Sequence, residues 1–370
     1  MGRRMFVRGR MKCMKIRLAI LDADQEYLNR IVTVFGTRYS EKFELYSFTD
    51  QELCMSSLKS AKIDILVADS VFDVSPLALP SNCSFAYFVN STEIESYRGE
   101  AAICKFQKAD LIYKMILSIY AEKIQGITGL KIKDDRCKLI AFGAAGGGSG
   151  ASTMAAACAL HYARNRKRVL YLNMERFGAS DVFFSAGGQF DMSDVIFALK
   201  EQKANFPLKL ESCVRQDPRG VYFYARPKVA LDMMELSAEE INHLLSELKL
   251  GGSYDYIIVD TDFNIDRDHI DIYRGMHGIV IVADGTEIGN QKTLSMLQAL
   301  AMKEENAEVP IMKRMSYLYN QFSNKSSLAL PSVEIRNLGG IPRYEHATTQ
   351  QILEQVAEKA IFDEILTEAV

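Results

Sequence analysis

The alternation of apolar runs and amphipathic stretches predicts two series of strands and helices. In the first third of the chain, five short apolar runs are each followed by polar residues, at positions 16–21, 43–48, 63–68, 85–89 and 101–104. Apolar residues keep helical spacing around Tyr27–Phe35 and Leu111–Ile119. Strands that alternate with helices predict a parallel sheet with helices on both faces.

A second series of apolar runs begins at Lys138. Further strands are predicted at 139–142, 168–173, 221–225, 256–260, 278–283 and 315–320. Helical spacing marks 151–164, 238–250 and 291–304. The fold class is therefore α/β, with two doubly wound parallel-sheet domains.

Composition and charge suggest the domain limits. We expect a basic leader at 1–14, a first domain at 15–123, a polar linker at 124–137 and a second domain at 138–370. The leader is expected to be disordered, with an arm that touches an acidic partner or a membrane as the alternative. No apolar core follows it, which argues against a secretory signal.

The overall composition narrows the function classes. The chain has 48% hydrophobic residues, 25% charged residues and a net charge of −3, which gives no general reason to expect a nucleic-acid partner. Its seven cysteines are scattered, as in a protein of the reducing cytoplasm. Its five histidines have no metal-ligand spacing, so we expect no zinc or iron. Residues 139–160 carry no charge, but glycines interrupt them, and we expect no integral membrane segment.

The segment Lys138–Thr153, KLIAFGAAGGGSGAST, has the strand, glycine-rich loop and helix of a phosphate-binding loop. In G-x-x-x-x-G-K-[ST], backbone N–H groups cradle phosphates, the lysine neutralises them, and the hydroxyl holds the metal. Here Ser152 supplies the hydroxyl and Ala151 replaces the lysine. The predicted nucleotide contacts are Gly147, Gly148, Ser149, Gly150, Ala151, Ser152 and Thr153. We expect ATP and Mg²⁺ to bind, with slow or absent hydrolysis.

A carboxylate completes the predicted metal site. The apolar run Tyr256–Asp260 ends in an acid, which a buried strand would deliver to the same sheet edge, so Ser152 and Asp260 are the predicted Mg²⁺ ligands. A relic loop that only packs a helix onto a strand is the alternative. Arg176 and Lys228 are candidate substitute cations, unless each is a solvated surface charge.

These motifs resemble the MinD/ParA group of P-loop ATPases, which reads K-G-G-x-G-K-[ST]-T. Residues 146–153, GGGSGAST, fall on that motif position for position. The resemblance places Gly146 at the signature lysine that reaches across a dimer interface, and Ala151 at the ordinary P-loop lysine. Both lysines are missing here.

The same resemblance assigns roles outside the loop. It places Asn173 and Glu175 at two family acids, so that Glu175 would help to position the attacking water. It places Asn320 at the residue that reads the base. It places Pro342 in the I-P pair before the loop that packs on adenine.

The first domain resembles response-regulator receivers. Asp69 falls at the phosphate-accepting position, Lys105 at the phosphate-contacting lysine and Asp22 at one of the acids that hold Mg²⁺. Ala23 takes the place of the second acid, and Phe106 replaces the usual proline. Two interpretations stay open: phosphorylation at Asp69, or a degenerate receiver kept for docking or dimerisation.

The two domains together are similar to the TadZ/CpaE family of tight-adherence (Flp-type) pilus assembly. That resemblance implies an ATP-binding scaffold that localises type II-like secretion machinery at a cell pole, near the inner face of the membrane. It implies a cytoplasmic homodimer whose partners include the secretion ATPase and no nucleic acid. An active ATPase that uses Arg176, Lys228 or a partner's cation is one alternative, and a response regulator is the other. The acidic, amphipathic stretch 352–370 is expected to pack on its own domain.

Overall fold

The computed structural model describes residues 15–123, 137–202, 205–305, 310–331 and 333–367. The chain divides into two compact units, Met1–Ile127 and Thr128–Val370. The predicted leader lies outside the described residues, and so does the predicted linker apart from Cys137.

The described part of the first unit is a six-stranded sheet with three α-helices. The strands are β1 (Ile16–Leu21), β2 (Phe43–Phe48), β3 (Ile65–Asp69), β4 (Ser84–Val89), β5 (Ser96–Tyr97) and β6 (Glu100–Cys104). The helices are α1 (Gln25–Arg38), α2 (Gln51–Ser60) and α3 (Ala109–Lys123). The strand order is β2-β1-β3-β4-β6-β5, and only the β5–β6 pair is antiparallel.

Side-chain caps define where two of these helices begin. The Asp24 carboxylate accepts hydrogen bonds from the backbone N–H groups of Glu26 and Tyr27, at 2.9 and 3.0 Å. Asp50 accepts one from Leu53 at 2.9 Å. Such caps satisfy amides that have no partner within the helix.

Two connections of the first unit differ from the predicted alternation of strands and helices. Between β3 and β4 the chain forms only a 3₁₀ turn at Pro76–Ala78, in a segment where Pro76 and Pro80 remove backbone donors. Between β4 and β6 the chain forms the edge strand β5. A turn at Arg98 and Gly99 follows, with φ of 53° and 84°. Ten residues are too few for a helical crossover and suffice for this hairpin.

The described part of the second unit contains eight strands. They are β7 (Lys138–Gly143), β8 (Val169–Asn173), β9 (Arg215–Gln216), β10 (Tyr222–Phe223), β11 (Tyr256–Asp260), β12 (Gly278–Ala283), β13 (Met315–Phe322) and β14 (Arg336–Pro342). Their order is β14-β13-β12-β7-β11-β8-β10-β9, and only β9–β10 is antiparallel.

Nine α-helices accompany this sheet in the described residues. They are α4 (Ala151–Arg164), α5 (Ser180–Phe183), α6 (Met192–Lys200), α7 (Phe206–Cys213), α8 (Leu231–Met234), α9 (Ala238–Leu250), α10 (Arg267–Tyr273), α11 (Glu287–Glu304) and α12 (Thr349–Val356). Alternate residues of β7 belong to two different apolar clusters. Leu139 and Ala141 belong to one cluster, and Ile140 and Phe142 belong to the other. Helices therefore cover both faces of the sheet.

The uncharged stretch 139–160 is the centre of this core. It forms β7, the following loop and most of α4, whose residues 154–162 are all buried. Beyond this stretch, α12 packs against α4, and Leu353, Val356 and Phe362 are buried on the same side of the sheet. In the part of the chain that the structure describes, no helix combines the length and apolarity that a bilayer crossing requires.

Candidate functional site

Polar residues of the second unit gather where three neighbouring strands end. Asp260, the last residue of β11, is in register with Phe142 of β7 and with Asn173, the last residue of β8. The loop after β7, residues 144–150, follows at this edge, and we call it the glycine loop. Open parallel sheets bind their ligands outside this carboxyl edge.

The conformation of the glycine loop requires glycine at two positions. The φ angle is 87° at Gly148 and 83° at Gly150, in the left-handed region that side chains disfavour. A Cβ at Gly150 would also collide with the side-chain amide of Asn320. That amide is buried and donates a hydrogen bond of 2.8 Å to the carbonyl oxygen of Ser149. Asn320 therefore holds the loop in position, a role that the sequence did not predict.

The glycine loop leads directly into the N-terminus of α4. Gly150 is the N-cap residue and offers no side-chain cap, so the first amides of α4 lack one. The hydroxyl of Ser149 is buried and has no hydrogen-bond partner among the described residues. Uncapped amides and the helix dipole favour an anion at this place.

Beside the loop lies a polar cluster of Ser152, Tyr171, Asn173, Glu175 and Asp260. The Ser152 hydroxyl donates to Glu175 Oε1 at 3.0 Å, and the Asn173 amide donates to Glu175 Oε2 at 3.0 Å. Asp260 Oδ2 accepts two hydrogen bonds, one from the same Asn173 amide at 2.9 Å and one from the Tyr171 hydroxyl at 2.6 Å. The structure thus brings together the predicted metal ligands and the predicted water-positioning residue.

Burial strongly perturbs the Asp260 carboxyl group of the polar cluster. It is fully buried, and burial together with the neighbouring Glu175 carboxylate raises its pKa to about 8. Burial likewise raises the pKa of the Tyr171 hydroxyl well above its ordinary value. The other Asp260 oxygen, Oδ1, is buried without a hydrogen-bond partner in the described residues. A nearby divalent cation would compensate both the burial and the adjacent negative charge.

The residues present therefore fit Mg²⁺ and a phosphate chain. Carboxylate and hydroxyl oxygens are the ligands that Mg²⁺ prefers, and Ser152 and Asp260 supply them. Backbone N–H groups of the glycine loop and of the first turn of α4 would receive the phosphates. The individual nucleotide contacts at residues 147–153 remain predictions.

The two substitute cations predicted from the sequence each lie near a carboxylate. The backbone N–H of Arg176 donates to Asp262 Oδ2 at 3.1 Å, and the guanidinium Nε of Arg176 is 3.8 Å from the same oxygen. The side chain of Lys228 is 76% exposed, and its ammonium is 3.9 Å from Asp191. Both cations line a cavity of about 600 Å³ beyond the polar cluster.

A lysine that the sequence did not single out lies at the glycine loop instead. The ammonium of Lys292, on α11, is 3.4 Å from the position that a Cβ would take at Gly146. This contact joins the glycine loop to α11, which are far apart in the sequence. No local sequence motif in either element predicts the contact.

The last predicted contact, Pro342, lies farther along the sheet. It is exposed at the end of β14, and β13 and β12 separate that strand from β7. Its adenine-packing role and the base-reading role of Asn320 stay predictions.

In the first unit, Asp22, Asp69 and Lys105 converge at the ends of three strands, as predicted. The Lys105 ammonium is 2.7 Å from Asp22 and 2.5 Å from Asp69, and all three residues are buried. Burial lowers the pKa of Lys105, but hydrogen bonds to the two carboxylates outweigh it and raise the pKa above its ordinary value. Burial raises the pKa of Asp22.

The Asp–Asp–Lys triad lacks the second acidic side chain that receivers have next to the position of Asp22. Ala23 offers no ligand, and the next acid, Asp24, caps α1. The Lys105 ammonium also lies 4.5 Å from the centre of the Tyr27 ring. The single positive charge of Lys105 is therefore shared between two carboxylates.

A family model described as "TadZ-like, receiver domain" matches residues 14–121. The first unit is therefore similar to TadZ-like receiver domains. No curated protein matches the chain.

The second unit has the MinD/ParA fold. A ParA family ATPase from Chlorobium tepidum TLS matches 63% of this chain and 99% of its own, with 20% identity and a TM-score of 0.51. The MinD septum site-determining protein from Pyrococcus horikoshii OT3 matches 60% of this chain and 95% of its own, with 15% identity and a TM-score of 0.46. A receiver unit followed by this fold is the TadZ/CpaE-like architecture, so the predicted α/β class and the resemblance are confirmed.

Proposed function

We propose that the second unit binds ATP with Mg²⁺. One observation carries this proposal: the glycine loop and the uncapped start of α4 lie beside a polar cluster with a buried, unpartnered Asp260 oxygen. Ser152 and Asp260 would hold the metal, and Mg²⁺ would supply charge neutralisation of the phosphates when bound. The amides of residues 147–153 would fix the phosphate chain.

We further propose that hydrolysis is slow or absent. Neither Gly146 nor Ala151 provides an ammonium group. Loss of one preorganised charge costs about 10²–10³ in rate. Both Glu175 oxygens also accept hydrogen bonds, from Ser152 and Asn173, so a water would have to share this carboxylate with two donors.

Steady-state phosphate release from the full chain tests this second proposal. We expect release near the background rate, and no significant change in Glu175→Ala. Rapid turnover that Glu175→Ala abolishes would contradict the proposal and establish an active ATPase.

For the cell, we propose that the chain is an ATP-binding localisation factor for assembly of Flp-type pili or type II-like secretion machinery. The TadZ-like receiver domain and the MinD/ParA fold support this proposal. A fluorescent fusion of the full chain should form foci at a cell pole, and the secretion ATPase should co-purify with it. Diffuse fluorescence and no co-purification would contradict the proposal.

We infer that the receiver domain acts by docking rather than by phosphorylation. Lys105 pairs with both carboxylates, and no second acid stands beside Asp22 to hold a metal. Incubation with acetyl phosphate and Mg²⁺ should leave the mass of the protein unchanged. Labelling of the wild type, but not of Asp69→Asn, would overturn the inference and favour a response regulator.

A further inference from the structure

The start of α11 lies beside the glycine loop. The strand that precedes α11, β12, pairs with β7 in parallel. The loops that follow these two strands therefore lie at the same edge of the sheet. Thr286 caps α11, accepting a hydrogen bond from the Gly289 N–H at 3.0 Å. Lys292 is in the second turn of this helix, which explains how a residue so distant in sequence reaches Gly146.

Lys292 occupies the space that a side chain at Gly146 would need. A Cβ built at Gly146 would be 3.2 Å from Cδ of Lys292, 3.4 Å from Nζ and 3.9 Å from Cε. Contacts of 3.0–3.4 Å are tighter than nine in ten real Cβ contacts. The lysine side chain therefore lies directly against position 146 and would have to shift slightly to admit a side chain there.

The Lys292 ammonium brings a positive charge to this loop without an anionic partner. The side chain is exposed, and no carboxylate within the described ranges forms an ion pair with it. The loop it contacts also holds the buried, unpartnered hydroxyl of Ser149 and precedes the uncapped amides of α4. An ammonium group, a hydroxyl and free amides together form a donor set for a phosphate chain.

We propose that Lys292 is the phosphate-contacting cation of this site, supplied by α11 of the same chain. The inference rests on the proposed binding of ATP. It assigns to one residue of the same chain the charge that is missing at Gly146 and Ala151. ATP binding would then need no lysine from a second copy of the protein.

Isothermal titration of the full chain with ATP and Mg²⁺ tests this assignment. Lys292→Met should weaken binding about 10- to 100-fold, the equivalent of one charge-assisted hydrogen bond. Lys292→Arg should keep most of the affinity. Lys303→Met, an exposed lysine at the other end of α11, should bind like the wild type. AMP, which lacks the β and γ phosphates, should lose much less affinity in Lys292→Met than ATP does.

A chemical measurement gives a second readout. ATP with Mg²⁺ should protect Lys292, but not Lys303, from acetylation by an activated ester, as measured by mass spectrometry. Thermal melting without nucleotide should be equal in the two methionine variants, which shows that the fold is intact.

The outcomes separate the inference from the function it rests on. If the wild type binds no ATP, the proposed function fails. If the wild type binds and Lys292→Met binds within about twofold of it, the assignment of Lys292 is wrong and ATP binding stands. If Lys292→Met lost equal affinity for ATP and for AMP, the assignment would also be wrong. The same holds if ATP with Mg²⁺ did not protect Lys292 from acetylation.

Discussion

At the scale of single residues, charge and burial explain the two polar sites. In the receiver domain, Lys105 separates Asp22 and Asp69, which would otherwise be two buried carboxylates near each other. In the second unit, Asp260 and Glu175 have no such cation within the polar cluster, and the pKa of Asp260 rises to about 8. The first site therefore contains its own cation, whereas the second is suited to an added cation.

Lys105→Met should destabilise the receiver domain by about 3 kcal/mol at pH 7, because it leaves buried carboxylates without their counter-charge. Folding raises the Lys105 pKa, so on the alkaline side the stabilisation by this pairing is present at neutral pH and is lost as the pH rises above about 10.5. In the variant, Asp22, whose pKa burial already raises, takes up a proton as the pH falls.

The difference in unfolding free energy between wild type and Lys105→Met should therefore shrink from pH 7 toward pH 4. Chemical denaturation at each pH measures it. A difference that grows on acidification would contradict the electrostatic account of the triad. Lys108→Met, at an exposed lysine three residues further along the chain, is the matched control.

Single residues also show what the sequence could reveal about the sites. Asp22, Asp69 and Asp260 were predicted because each closes an apolar run, and strand ends of a parallel sheet meet at one edge. The contacts of Asn320 and Lys292 with the glycine loop could not be predicted. They depend on how β13 and α11 pack beside β7, which no local pattern specifies.

At the scale of secondary-structure elements, strands with continuous apolar runs were the most predictable. The bounds of β1, β2, β11 and β12 agree with the sequence prediction. Strands β1, β11 and β12 are almost entirely buried, whereas β2 is an edge strand that is only partly buried. Strand β14 was missed because its residues 336–342, RNLGGIP, include two glycines and no apolar alternation. In the described part of the amphipathic stretch 352–370, α12 ends at Val356 and a short 3₁₀ turn follows at Ala360–Phe362.

Gly150→Ala tests the junction of the glycine loop and α4. The substitution introduces a side chain at a φ of 83° and a collision with Asn320, so we expect a loss of about 2 kcal/mol in unfolding free energy. Gly147→Ala is the control, because a Cβ there would meet no atom within 4 Å and its φ is not in the left-handed region. Urea denaturation should show the loss only for Gly150→Ala, and equal stability of the two variants would contradict this account.

At the scale of the whole molecule, the presence of two successive α/β units was predictable from the order of strands and helices along the chain. The absence of α-helices from two receiver connections was not, because it depends on short segments whose structure is set by Pro76, Pro80 and the turn at Gly99. Of the three helices of this domain, the sequence marked α1 and α3 by their apolar spacing, whereas α2 was not predicted.

Homodimerisation remains a prediction at this scale. If dimers form around bound nucleotide, sedimentation velocity should show a shift from monomer to dimer when ATP and Mg²⁺ are added. Because Lys292 belongs to the same chain, ATP should also bind under conditions where the protein is monomeric. Binding that appears only together with the dimer would contradict a cation supplied within one chain.

The most direct test of ATP binding is calorimetric titration of the nucleotide-free full chain with ATP, with and without Mg²⁺. We predict saturable binding that Mg²⁺ strengthens, loss of the Mg²⁺ effect in Asp260→Asn, and its retention in Asp262→Asn. The latter residue pairs with Arg176 outside the polar cluster and serves as the control. An absence of binding heat at millimolar ATP, with no shift in melting temperature, would contradict the proposed function.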